Sequence, residues 1–385
     1  MTAFRYELIG TDQATRARRG RVHTRRGEIE TPVFMPVGTQ ATVKTLEPHE
    51  VEGAGAQIIL ANTYHLMLRP GVEIIQAAGG VHEFSRWQGP ILTDSGGFQI
   101  FSLSSQVKIR EEGASFQSHI DGSHWHLTPE RAIELQAGYG SDIMMALDHV
   151  VGYPAKERVV ADAMHRTHRW LDRCIARAKI GDLEPGQGVL FGIVQGGMYP
   201  ELRTESAQQI AERDVAGCAI GGLSVGEPKD VMAEYLDISI EHLPEHKPRY
   251  LMGVGSPEDL WNGVAQGVDM FDCVLPTRLA RNAALFTPDG RINLRNRKYR
   301  DVFAPIDETC DCHTCRTYTA AYLHHLYRAG EILGLKLGSI HNIRFLVRQM
   351  EAMRAAIMAG TFAEERHAFL DRYRVVGQPV AQEAA

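Results

Sequence analysis

Eight short, nearly unbroken apolar runs punctuate this chain, and they constrain its fold more than any other feature. They are TPVFMPVG (31–38), AQIILANTY (56–64), PILTDSGG (90–97), SDIMMALD (141–148), VLFGIVQGG (189–197), GCAIGGLSVG (217–226), RYLMGVG (249–255) and DMFDCVLPTR (269–278). Their apolar residues follow one another without polar alternates, the pattern of parallel strands covered on both faces. Longer stretches with helix-start signals lie between them. Ser256 precedes Pro257, Glu258 and Asp259, and Thr128 precedes Pro129 and Glu130. Each is a cap, then a first-turn proline, then acids at the positive end of a helix. Residues 155–180 and 199–214 carry helical apolar stripes. Eight strands alternating with helices predict an α/β chain of the (β/α)8 TIM barrel class, and 385 residues suit one such unit. A doubly wound open sheet competes, but no G-x-G-x-x-G opens a helix after a strand.

Composition serves to exclude. Apolar residues at 44% and charged residues at 23% lie near globular averages, against disorder or coiled coil. No run approaches the about 20 apolar residues of a membrane span, and the start MTAFRYELIG lacks a leader's basic and apolar segments. Three of the six cysteines are isolated and three fall within residues 310–315, which is no disulfide framework, so a reducing, cytoplasmic setting is expected.

Two inserts interrupt the alternation. Residues 100–127, with the Asp121-Gly122 turn, read as an antiparallel excursion. Residues 279–345 read as an inserted subdomain, leaving 1–278 and 346–385 for the barrel, with strands in the first 30 residues closing its bottom and a frayed end at GQPVAQEAA. The net charge of −6 hides a local excess: Arg278, Arg281, Arg291, Arg295, Arg297, Lys298 and Arg300 face one acid, Asp289. Such a run is either a solvated face or a set of phosphate contacts.

Barrels of this class place reactive side chains at the C-terminal strand ends. Those ends carry Asp94, Asp148, Gln195, the Gly221-Gly222 pair, Met252 and Asp272. Any one aspartate there could be only a helix cap, but three converging on one mouth suit glycosidic chemistry, one as nucleophile and one handling a proton. Apolar neighbours in FDCVLPTR would desolvate Asp272. Metal-assisted hydrolysis is the rival, although only His149 accompanies these ends. Cys310, Cys312 and Cys315 supply three vertices of a structural zinc site, and spacing leaves His313, His324, His325 and His341 open as the fourth ligand.

The strings TDSGGFQ (93–99), FGIVQGG (191–197), GGLSVGE (221–227), LMGVG (251–255), MFDCVLPTR (270–278), TPVFMPVGT (31–39), ANTYHLMLRPG (61–71) and C-x-C-x-x-C closely resemble bacterial-type tRNA-guanine transglycosylases, over about residues 5–375. The resemblance implies exchange of guanine at the wobble position of tRNAs with GUN anticodons (Asp, Asn, His, Tyr) for a 7-deazaguanine, on the route to queuosine. It implies Asp272 as the nucleophile and Asp94 as the general acid/base. It implies Asp148 on the purine edge, Gln195 and Gly222 at its carbonyl, and Ser95 and Gly221 among the residues that bind the base. Phe98 and Met252 would sandwich the ring, and the Leu223 carbonyl, steadied by Glu227, would meet an aminomethyl group. RNA contacts are implied for Gly253, Val254, Gly255, Ser256, Pro257, Glu258 and Asp259, and for Thr277, Arg278, Leu279, Ala280 and Arg281. His341 becomes the fourth zinc ligand, and a homodimer is implied, with the apolar stretch 324–335 as an interface candidate. The sequence departs at His149 and Val150, where many bacterial members carry an acid and a cysteine. Val150 is similar to the queuine-using branch and Val225 to the bacterial one, and the expected base is 7-aminomethyl-7-deazaguanine. A non-catalytic RNA-binding partner, the archaeal-type enzyme that modifies another tRNA site, and a glycoside hydrolase are the alternatives; the last would need no basic insert.

Overall fold

The computed structural model describes residues 4–103, 105–180 and 188–373; the expected frayed end lies outside them. Eight parallel strands form one sheet: β1 (Val33–Pro36), β2 (Ile59–Asn62), β3 (Ile91–Asp94), β4 (Ile143–Met145), β5 (Val189–Val194), β6 (Gly217–Ile220), β7 (Arg249–Leu251) and β8 (Met270–Cys273). Their order is β1-β8-β7-β6-β5-β4-β3-β2. A parallel bridge from Val37 to Leu60 joins the last to the first, and the Gly38 N–H donates to the Leu60 carbonyl at 2.6 Å. This is the expected TIM barrel, and each of the eight apolar runs contributes its one strand.

Inside the barrel, Val33, Met35, Leu60, Leu92, Ile143, Met145, Phe191, Ile193, Ala219, Tyr250 and Met270 form one buried cluster. Outside, helices cover the strands through the stripes read from the sequence. The helix Glu157–Lys179 buries Val160, Ala163, Met164, Thr167, Leu171 and Cys174, a three-four spacing that keeps one face on the sheet. Thr128 and Ser256 cap their helices as expected: their hydroxyls accept from the Arg131 and Asp259 N–H groups.

The first residues form an antiparallel sheet, Arg5–Thr11, Arg18–Thr24 and Gly27–Thr31, whose Val22 and Ile29 plug the barrel foot. The first insert is a second antiparallel sheet, Ser105–Ile109, Ala114–Gln117 and His124–Leu127. After β8 come the helix Leu275–Arg281, a hairpin of Ala284–Thr287 and Gly290–Asn293, and short helices. These gather their own small core around Ala283, Leu285, Leu294, Leu323 and Leu337. The expected boundary at residue 345 falls inside one continuous helix, Ile332–Ala359. Its first turns bury Leu337 in the small core, while Phe345, Met350 and Met353 join the main one. One helix therefore ties the insertion to the barrel, with Arg354 donating to the Pro32 carbonyl at 2.7 Å.

Candidate active site

Three carboxylates close on the mouth from the C-terminal ends of β3, β4 and β8. Asp94 ends β3; one of its oxygens accepts from the Thr63 N–H at 2.9 Å and the other from the Asn62 amide. Burial drives its pKa up; the Asn62 and Thr63 hydrogen bonds oppose this, the Asp272 charge adds to it, and the result is about 7. Asp148 follows β4 and accepts from Gln195 Nε2 at 2.7 Å. Burial raises it to about 6, against the hydrogen bonds of Gln195 and Ser95. A Cβ at Gly97 would collide with this carboxylate, which explains the glycine there.

Asp272, on β8, is only partly covered, and one oxygen accepts from the Tyr250 hydroxyl at 2.6 Å and the Gly253 N–H at 2.7 Å. Burial raises its pKa, and those two donors restrain the rise. Two donors on one oxygen leave the other free to react. Among the described residues, no Lys, Arg or His forms an ion pair with Asp94, Asp148 or Asp272. The arrangement can offer a nucleophilic carboxylate, a second carboxyl that changes protonation near neutrality, and a third that accepts hydrogen bonds.

The wall after β6 is held by side chains beneath it. Glu227 accepts from the Ser224 N–H and, at 2.9 Å, from the Val225 N–H. Because a trans peptide directs its C=O and N–H oppositely, the Leu223 carbonyl is turned away from Glu227. Gly222 has φ +64°, and a Cβ there would strike Gln195 Oε1. Phe98 is 49% exposed and Met252 half-buried, so both side chains stay accessible at the rim.

Of the expected RNA-contacting residues, Val254, Gly255, Pro257, Asp259, Thr277 and Ala280 are buried. Asp259 is further engaged by Lys229. The accessible members are Gly253, Ser256, Glu258, Arg278, Leu279 and Arg281, and Arg291, Arg295, Arg297, Lys298 and Arg300 are exposed nearby in sequence.

Cys310, Cys312, Cys315 and His341 are all buried, with ligand atoms within 4.8 Å of one another. A tetrahedral metal–thiolate site has edges of about 3.8 Å, so this group could hold a metal ion with small closure. His341 Nδ1 lies 3.2 Å from Cys315 Sγ, while its Nε2 lies 2.7 Å from the Phe286 carbonyl, an outer contact that fixes Nδ1 as the ligand atom. His324 is turned elsewhere, onto the Leu294 carbonyl.

Sequence reasoning passed over Tyr250, Asn62 and Thr63. Tyr250 stands two residues before Met252, so the strand period of two already placed it on the same inward face. Asn62 and Thr63 were visible as the polar end of an apolar run.

Comparison with known proteins identifies related chains. The sequence model described as queuine tRNA-ribosyltransferase matches residues 12–375. Among curated proteins, the queuine tRNA-ribosyltransferase of Symbiobacterium thermophilum is 56% identical over 371 residues, covering 96% of this chain and 92% of that protein. Those of a Thermoanaerobacter species and of Herpetosiphon aurantiacus are each 54% identical, covering 97% and 99% of this chain and 98% and 96% of their own.

Proposed function

The chain belongs to the queuine tRNA-ribosyltransferase family, a family of pentosyltransferases, and from that premise we propose that it exchanges guanine at the tRNA wobble position for a 7-deazaguanine through a covalent intermediate. The observation that carries this reading is the trio Asp94, Asp148 and Asp272 on one mouth, with no ion pair to any of them among the described residues and two donors aiming Asp272. The wobble nucleotide must leave its stack to reach such a mouth. The Asp148 carboxylate meets donors on the Watson–Crick edge of the purine, which an acceptor-only group suits, and Gln195 and the Gly222 N–H meet its carbonyl.

Asp272 attacks C1′ of the ribose. The C1′–N9 bond breaks, its electron pair stays on guanine, and Asp94 delivers the proton to N9. The incoming base gives its N9 proton to Asp94, attacks C1′, and displaces Asp272. A group near pKa 7 suits both transfers. The base expected is 7-aminomethyl-7-deazaguanine, its ammonium meeting the Leu223 carbonyl. Queuine is the second reading: Val225, Tyr153, Met198 and Tyr199 line a cavity of about 430 Å3 beside Gly222, room for a larger substituent. A competition between the two bases decides.

Zinc is the metal that three thiolates and an imidazole select, and it would cross-link the insertion structurally. One zinc per chain by elemental analysis is expected; none would remove that assignment. The exposed basic residues of 278–300 would meet phosphates, so affinity for an anticodon stem-loop should fall steeply with salt. Tyr, His, Asn and Asp tRNAs with GUN anticodons are the expected substrates, and a homodimer the expected assembly. The decisive experiment mixes protein, stem-loop RNA and a non-exchangeable guanine analogue on a denaturing gel. A covalent band is expected with the wild type and lost with Asp272→Asn; its persistence in that variant would exclude Asp272 as nucleophile.

A further inference from the structure

Arg203 lies in the helix Pro200–Glu212 and is wholly buried, yet among the described residues it forms no ion pair. A guanidinium is not normally buried without a carboxylate. Its donors are spent on backbone carbonyls instead: Nη1 to Gly221 at 2.8 Å and to Val194 at 3.4 Å, Nε to Gly197 at 3.2 Å. These carbonyls belong to the strand end of β5 and to the loops after β5 and β6, which carry Gln195 and Gly222. Nη2 is buried without a partner among the described residues and would stand 3.4 Å from a Cβ on Gly222.

The Gly221 carbonyl and the Gly222 N–H are two ends of one peptide. In a trans peptide they point oppositely, so a cation on that carbonyl turns the N–H away from the helix and polarises it. The Gly222 N–H has no acceptor among the described residues. Glu227 does the reverse two peptides later, holding N–H groups and turning out the Leu223 carbonyl. The wall thus has a cation behind its donor and an anion behind its acceptor.

We propose that Arg203 is a positioning residue for the reaction: its buried charge aims and strengthens the Gly222 N–H that receives the purine carbonyl, where negative charge collects as guanine departs. This inference rests on the base-exchange reading above. As the C1′–N9 bond breaks, the electron pair left on N9 is shared through the ring with the carbonyl oxygen, and a polarised donor stabilises it. Burial lowers the guanidinium to about pKa 10, which leaves it charged at neutral pH.

The test compares wild type with R203Q and R203K, measuring KM and kcat for guanine exchange into tRNA and inhibition by 6-thioguanine, whose sulfur is a weaker acceptor but whose remaining edge is unchanged. In R203Q the preference for guanine over 6-thioguanine should fall about tenfold, with kcat lowered as well. A residue that only supports the fold would weaken both bases in parallel, and an unchanged ratio in a folded R203Q overturns the proposal. Should R203Q not fold, R203K carries the test, because one ammonium cannot hold all three carbonyls; a ratio reduced about threefold is expected, and an unchanged one is fatal. A wild type that exchanges guanine without preferring it to 6-thioguanine would remove Gly222 as the carbonyl donor, and a wild type with no exchange would remove the base-exchange reading itself.

Discussion

The two ends of the barrel treat buried carboxylates in opposite ways. At the foot, Asp269 receives Arg18 Nε at 2.9 Å and a second Arg18 nitrogen, the Tyr6 hydroxyl at 2.9 Å and the Arg249 N–H at 2.7 Å. Asp142 receives His82 at 2.9 Å, Arg25 at 2.7 Å and the Ile91 N–H at 2.9 Å. At the mouth, Asp94, Asp148 and Asp272 receive, among the described residues, only neutral donors. Burial pushes Asp142 up, but the hydrogen bond and charge of His82, with Arg25, hold it below the usual range. Burial wins at Asp94 and Asp148. The foot spends its aspartates on closing the barrel; the mouth keeps three carboxyls short of compensation and so able to exchange protons and attack.

The largest expected contrast comes from isosteric changes three residues apart around β8. Asp272→Asn should lower kcat on the order of 10^3-fold or more and leave the melting temperature nearly unchanged. Asp269→Asn should strand Arg18, cost about 3–5 kcal/mol and lower the melting temperature by about 4–6 °C, with kcat near wild type in the folded fraction. Thermal scans and single-turnover assays on both variants measure this. A destabilised Asp272→Asn or an inactive, stable Asp269→Asn would erase the division between ends.

The next contrast is in pH. Asp94 at about 7 and Asp148 at about 6 stand above an unfolded carboxyl near 4, so between those values the folded chain binds more protons than the unfolded one. Their stabilising contribution is complete below about pH 4 and is lost as pH rises through 6 to 7. Asp142 is lowered, so its contribution is present above about pH 4 and lost as pH falls through its folded value. Relative to wild type, Asp94→Asn should therefore gain on the order of 3 kcal/mol in urea unfolding between pH 5 and pH 8. Asp142→Asn should be the weaker protein at pH 8, with the deficit shrinking in acid. Parallel pH curves for the two variants would contradict the assignment. In kcat/KM for tRNA the basic limb should fall near pH 7, because Asp94 must be protonated to deliver its proton to N9 in the first step.

The same contrast explains what was legible beforehand. A parallel strand buried on both faces writes itself as an apolar run, so β1 to β8 could be read directly, and Asp94, Asp148 and Asp272 stood out as charges ending such runs. Arg203 could not, because an arginine within the helix Pro200–Glu212 looks like any solvated helix cation until the sheet is packed against it. His341 needed the resemblance: it meets Cys315 across 26 residues of chain, and spacing left three other histidines in play. The end of the insertion was invisible because the period of the helix Ile332–Ala359 continues unbroken while its neighbours change from the small core to the large one.

The finest contrast uses the tyrosine that each end donates to its aspartate. Tyr250→Phe removes the 2.6 Å bond to Asp272 and leaves the Gly253 N–H as its remaining donor. With less to oppose burial, the Asp272 pKa should rise further, kcat/KM at pH 7 should fall about tenfold, and part of the loss should return at higher pH. Tyr6→Phe removes the 2.9 Å bond to Asp269, but Arg18 and the Arg249 N–H still satisfy both carboxylate oxygens. Activity should hold, and melting should shift by about 1–2 °C. Full pH–rate profiles of the two variants separate the cases, because a hydroxyl that merely fills space would lower the plateau without moving the limb. If Tyr6→Phe displaced the acidic limb as Tyr250→Phe is expected to, a change at the foot would be felt by Asp272 along β8, and the two ends would be one electrostatic system.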